Sequence, residues 1–280
     1  MFDFCEDPIT VGYGPCARPS DGKTYPQFIA EDLCYQEEMQ RDLKKLPHGQ
    51  NTLVSFSIAG ASQLGNVTPL VPSNSYGYNF QVDRYLDLYK KSECYAFPEK
   101  DIFFYTDVGL IEFFLLINVP TIEQNTWLDT NLVQPVFSNI VRLYNEGKAR
   151  KIFVQLVDDF TLTKLPAFEK LGCIENIDEI LSTYMTKMRE LRDALNLFAQ
   201  QNVPNLDLTV VFTEGLFDEI TGVNSSSFGI VNGNTMLDLG WPDKVFANQT
   251  FFDDLDPSAH TNRIIANFVG TWFQQRVSFH

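Results

Sequence analysis

The chain is 280 residues long, 44% hydrophobic and 20% charged, with a net charge of -15 and a pI near 4.5. That leaves ample apolar side chain for a core, and acidity on this scale argues against nucleic acid and anionic membrane surfaces as partners. No apolar run reaches the roughly 18 residues that a membrane span needs.

Short apolar runs alternate with longer amphipathic stretches, the pattern of βαβ units around a mainly parallel sheet. In chain order, a short strand is expected at 2–5 and a helix over 25–44, carrying Phe28, Ile29, Leu33 and Met39. A strand follows at 52–58, then a helix over 80–89 with Val82, Tyr85, Leu86 and Tyr89 on one face. Residues 102–105 form a further short β-like run with no assigned place. The apolar run 111–117, interrupted by Glu112 and followed by Asn118, reads as a buried strand. Asp129 suits the N-cap of a helix through Tyr144, closed by Gly147. Strands are expected at 151–157 and 206–213. Between them, Ile177, Ile180, Leu181, Tyr184, Met188, Leu191, Leu195 and Phe198 make one stripe of a helix over 176–200. A last helix opens at Pro257, where the missing amide is tolerated, and Ile264, Ile265, Phe268, Val269, Trp272 and Phe273 recur along it. No repeat or linker divides the chain, so residues 1–280 are read as a single domain.

Five cysteines, Cys5, Cys16, Cys34, Cys94 and Cys173, lack metal-ligand spacing. Three of them lie near the start and suit a disulfide there, with at least one thiol left unpaired by the odd total. Sequons at Asn66, Asn224 and Asn248 allow a glycoprotein and, with the cysteines, lean toward the secretory pathway. The opening Met1-Phe2-Asp3-Phe4 does not read as a signal peptide.

Several segments carry a family resemblance. Phe252-Asp253, then Asp256, Pro257 and Ser258 ahead of a helix containing Ile264-Ile265-Ala266, resemble the last block of the GDSL (SGNH) hydrolases, which are esterases and lipases. That block reads aromatic, Asp, two variable residues, His, Pro, Ser or Thr. Leu143-Tyr144 through Gly147 and Ala149-Arg150-Lys151 are similar to the family's Leu-Tyr-x-x-Gly-Ala-Arg-Lys entry to a strand. Arg18-Pro19-Ser20-Asp21-Gly22-Lys23 resembles its Arg-Phe-Ser-Asn-Gly-Lys segment, and Phe56-Ser57-Ile58-Ala59-Gly60-Ala61 its second block. Phe4 to Tyr13 fits the first block at Phe4 and Gly12.

The resemblance implies a three-layer α/β/α sandwich, flavodoxin-like, with a mainly parallel five-stranded sheet. It also implies a site, and the site is degenerate. The nucleophilic Ser position is Asp7 and the catalytic His position is Asp256, while Gly60 keeps its oxyanion amide and Asp253 the His-orienting place. The third block, Gly-x-Asn-Asp after a strand, falls at Asn118-Val119-Pro120-Thr121, which puts Pro120, without any N–H, at the oxyanion Asn. Ester hydrolysis of this type needs a nucleophile, a base and donors aimed at the oxyanion. A carboxylate at Asp256, with an ordinary pKa near 4, is a weak base at neutral pH.

The expectation is therefore a catalytically inactive member that binds a protein partner or serves as a subunit of an assembly. One alternative is an active esterase using an unconventional pair, Ser62 with His260. Another is a carbohydrate- or lipid-binding module that reuses the old cleft. Asp7, Asp253 and Asp256 would converge in the degenerate site, and such oxygen-only ligands suit Ca²⁺ or Mg²⁺.

Overall fold

The computed structural model describes residues 25–32, 36–39, 52–56, 77–91, 103–165, 168, 171, 174–213 and 259–275. Five strands are described: β1 (Gln36–Met39), β2 (Thr52–Ser55), β3 (Phe103–Val108), β4 (Lys151–Leu156) and β5 (Asp207–Phe212). β1 pairs with β2, and β3, β4 and β5 form a triplet with β4 in the middle. Every pairing is parallel, with Phe103 opposite Lys151 and Lys151 opposite Asp207. Among the described residues the strands form a parallel pair and a parallel triplet, in keeping with the expected mainly parallel sheet.

The helices are α1 (Tyr25–Asp32), α2 (Tyr78–Lys91), α3 (Leu110–Leu116), α4 (Gln124–Leu128), α5 (Gln134–Asn145), α6 (Asp159–Lys164), α7 (Ile177–Gln201) and α8 (Ala259–Gln274). Parallel strands need crossovers, and right-handed crossovers stack their helices on one face. α5 and α7 lie on the crossovers of the triplet, and α2, which precedes β3, packs on the same face. Tyr85 of α2 packs edge-on to Phe104 of β3 at 4.7 Å, and Arg192 of α7 lies over Phe212 of β5 at 5.3 Å. On the opposite face, Trp272 of α8 meets Phe153 of β4 at 5.1 Å, and its Nε1 donates to Thr209 Oγ1 at 2.8 Å. Helix, sheet and helix therefore form three layers, as expected. Ile152, Val154 and Leu156 of β4 are fully buried on one face and Phe153 is nearly so on the other, which explains why this strand reads as an almost unbroken apolar run.

Three expectations are corrected. Residues 111–117 are not a strand: α3 occupies them, burying Glu112, Phe113 and Leu116 on one face. An apolar run this short and this uniform fits a buried helix as well as a buried strand. The strand is the β-like run before it, extended to Val108 and ended by Gly109 at φ 112°. The helix expected over 25–44 stops at Asp32, and the helix formers Gln36-Glu37-Glu38-Met39 pair instead with β2. Asp129 is not an N-cap, because helical structure runs through it as a π turn, Asp129–Val133, joining α4 to α5. At the end of α5 the left-handed residue is Lys148, at φ 58°, rather than Gly147. Gly147 answers to close packing: a Cβ there would sit 2.7 Å from the Tyr85 ring, whose hydroxyl donates to Gly147 O at 2.7 Å. The strand expected at 2–5 lies outside the described residues.

Candidate functional site at the strand ends

In open parallel sheets, ligand sites form at the carboxyl ends of the strands, where the loops gather. The β3–β4–β5 triplet has three such ends, and each is followed by a buried polar side chain.

β3 ends at Val108, and Gly109 turns the chain so that Phe113 N–H closes the first helical bond to Gly109 O at 3.0 Å. This turn demands glycine twice over. Its φ of 112° is strained for any other residue, and a Cβ would run into the Tyr184 hydroxyl and Met188 of α7. The next acidic side chain, Glu112, is buried.

β4 exits through Val157, whose N–H bonds Val108 O at 3.1 Å, into Asp158. Asp158 is extended, with φ -103° and ψ 174°, and its Oδ1 accepts from Thr161 N–H at 2.7 Å. It therefore caps α6, satisfying an amide that no helical carbonyl reaches. Thr161 Oγ1 lies 2.5 Å from Thr213 Oγ1 at the end of β5, and Thr213 N–H bonds Leu156 O at 3.0 Å.

Tyr184 of α7 ties these ends together. It is fully buried, and its hydroxyl donates to Val157 O at 2.8 Å. Burial pushes this phenol well above its ordinary pKa, and the nearby charges of Glu112 and Asp158 push the same way. It stays a neutral donor throughout the physiological range. Glu112, Asp158, Thr161, Tyr184 and Thr213 were not singled out by sequence reasoning, although Asp158-Asp159 after a strand carries an N-cap signal.

The residues expected to form the site fall differently. Asp7, Gly60, Ser62, Asp253 and Asp256 lie outside the described residues, as do the five cysteines and the sequons at Asn66, Asn224 and Asn248. His260 is the second residue of α8. Pro120 is exposed beyond the far end of α3, where its carbonyl accepts from Glu123 N–H at 2.8 Å in a short 3-10 turn, Thr121–Glu123. No strand leads into it, which removes the ground for placing the third block there. Among the described residues, no group of three His, Cys, Asp or Glu side chains is placed to hold a metal ion, and no helix is long and apolar enough to cross a membrane.

The family model described as GDSL-like Lipase/Acylhydrolase matches residues 7–269. The chain belongs to this family. No curated protein matches it. The SGNH-type α/β fold that the family implies agrees with the parallel sheet and its flanking helices. In this GDSL-family chain the ends of β4 and β5 are tied together among the described residues by the Asp158, Thr161, Thr213 and Tyr184 hydrogen bonds.

Proposed function

We propose that this GDSL-family chain has lost ester hydrolysis and works by binding, as the partner or subunit of an assembly. The observation that carries the reading is the exit of β3. A Gly-x-Asn-Asp block after a strand falls there on Gly109-Leu110-Ile111-Glu112. The oxyanion Asn position is then Ile111, whose side chain has no N–H to offer, and the following Asp is Glu112. This register replaces the one at Pro120 and leads to the same chemical consequence. Losing one oxyanion donor alone lowers turnover by about 10²- to 10³-fold. With carboxylates at the nucleophile and base positions, Asp7 and Asp256, no acyl-enzyme route remains. The match over residues 7–269 also supports reading the chain as one domain.

The test is incubation with a fluorophosphonate probe, alongside turnover of p-nitrophenyl acetate and butyrate. The expected result is no labelled serine and no turnover above buffer. Family membership favours the second reading, an active acylhydrolase. Labelling that disappears in Ser62→Ala would establish it with Ser62 as the nucleophile, and loss of labelling in His260→Ala as well would make His260 its base. The degenerate site, with Asp7, Asp253 and Asp256, is also proposed to take Ca²⁺ or Mg²⁺. Calorimetric titration should show binding that Asp253→Asn weakens, and absence of heat with both ions would remove the idea.

A further inference from the structure

A second polar feature lies away from the strand ends. α2 and α5 run side by side in the same direction, since each returns the chain to the start of a parallel strand. Between them opens a groove of about 450 Å³, lined almost wholly by polar side chains. Asn139 forms its floor and is 1% exposed. Its Nδ2 donates to Asn79 Oδ1 at 2.5 Å, and its Oδ1 accepts from Arg142 Nη1 at 3.2 Å. Arg142 Nη2 in turn donates to Asp83 Oδ1 at 2.5 Å. The floor is thus a fixed ladder of amide, guanidinium and carboxylate.

The rim is different. Thr130, Gln134 and Ser138 are exposed, and their side chains make no hydrogen bond among the described residues. Thr130 stands on the π turn, a rare backbone form that concentrates at functional sites. That turn is held from behind: Lys187 Nζ of α7 reaches Asp129 at 2.9 Å and Glu190 at 2.8 Å.

We propose that the α2–α5 groove binds a neutral polyhydroxylated ligand, a mono- or disaccharide unit of a glycan. The chemistry of the lining selects this class. Asp83 offsets Arg142 inside the groove, so neither an anion nor a cation gains a net charge partner. Pro135 is the one apolar residue of the lining, too small a patch to hold a lipid chain. Adjacent sugar hydroxyls both donate and accept, and they match amide, carboxylate and hydroxyl groups set at fixed spacing. The groove is shallow and open to solvent, so a bound sugar would keep one face in water. The lining contains no aromatic ring to stack on a sugar, so exchange is fast and affinity weak. Nothing in this inference requires that hydrolysis be lost, because none of the groove residues belongs to the family blocks.

Saturation-transfer NMR of the full chain with cellobiose, maltose and N,N'-diacetylchitobiose tests it. Transfer to at least one disaccharide is expected. Ser138→Leu and Gln134→Leu, both exposed positions on α5, replace a hydroxyl or amide partner with a branched apolar side chain that cannot stack on a sugar, and should each abolish the transfer while leaving the circular dichroism unchanged. No transfer to any of the three sugars overturns the proposal. So does transfer that survives both Leu variants, since the sugar would then sit elsewhere, the old cleft included.

Discussion

The protein carries two polar networks built from the same hydrogen-bond distances and placed in opposite surroundings. At the strand ends, Tyr184, Asp158, Thr161 and Thr213 are sealed from water. In the α2–α5 groove, Asp83 and Arg142 have side chains 58% and 32% exposed. A buried polar group that loses its partner bears its whole desolvation penalty, whereas an exposed one turns to water. The first network therefore holds the fold, and the rim of the second can exchange water for a ligand's hydroxyls at little cost to it. Single substitutions should separate the two.

The largest effect is expected at Gly109→Val. The substitution forces a β-branched residue into a left-handed turn and pushes Tyr184 and Met188 aside. Backbone strain and overpacking together should destabilise the fold by about 3 kcal/mol or more. Urea unfolding followed by circular dichroism measures it. A loss under about 1 kcal/mol would mean that α7 can move away from the β3 exit, and that the strand-end network is looser than its burial implies.

Tyr184→Phe comes next. It removes the donor to Val157 O and leaves that carbonyl buried, a loss of about 1–2 kcal/mol at neutral pH. The same residue supplies a pH signature. In the unfolded chain a phenol titrates near 10, whereas burial raises Tyr184 well above that and Tyr78 to about 12. Above about pH 10 the unfolded chain has released protons that the folded chain keeps, so stability falls as pH rises and is whole below that value. Between about pH 10 and 12 the Tyr184→Phe variant should lose less stability than the parent chain. Parallel loss in the two would show that Tyr184 is not the group responsible.

Asp158→Ala tests the cap rather than the charge. Thr161 N–H loses its acceptor, and about 1 kcal/mol should go with it. Asp158→Asn, which keeps a carbonyl oxygen at the same place, should recover most of that. Equal losses in both variants would shift the weight to the carboxylate and to its neighbours Glu112 and Tyr184.

How far these networks could be read in advance follows from what sets each of them. α2 and α7 are legible because their apolar residues recur at the helical period alone, and β4 and β5 because they are short runs rich in Val, Ile and Phe. α3 was not, since Ile111 to Ile117 is apolar on nearly every side and period alone cannot tell helix from strand. That single ambiguity put the third block at Pro120 in the sequence reading, rather than at the Gly109 register proposed above. β1 was hidden by its composition: Gln36-Glu37-Glu38-Met39 favours a helix and extends only because β2 lies beside it. The strand-end network stayed invisible because Tyr184 reads as one more member of an apolar stripe. Its hydroxyl acquires a role only when α7 is laid across β4.

The smallest effect belongs to the groove. Asp83→Ala removes one acceptor of Arg142, which keeps Glu146 at 3.5 Å, and both partners are open to water. Exposed pairs of this kind contribute about 0–1 kcal/mol and fade with salt, because screening and side-chain entropy offset the attraction. A change of about 0.5 kcal/mol or less is expected, and it should disappear in high salt. A larger, salt-insensitive loss would mean that Asp83 acts through the Asn139–Arg142 floor as one cooperative unit. The groove would then belong with the sealed network, and the difference on which the glycan proposal draws would shrink accordingly.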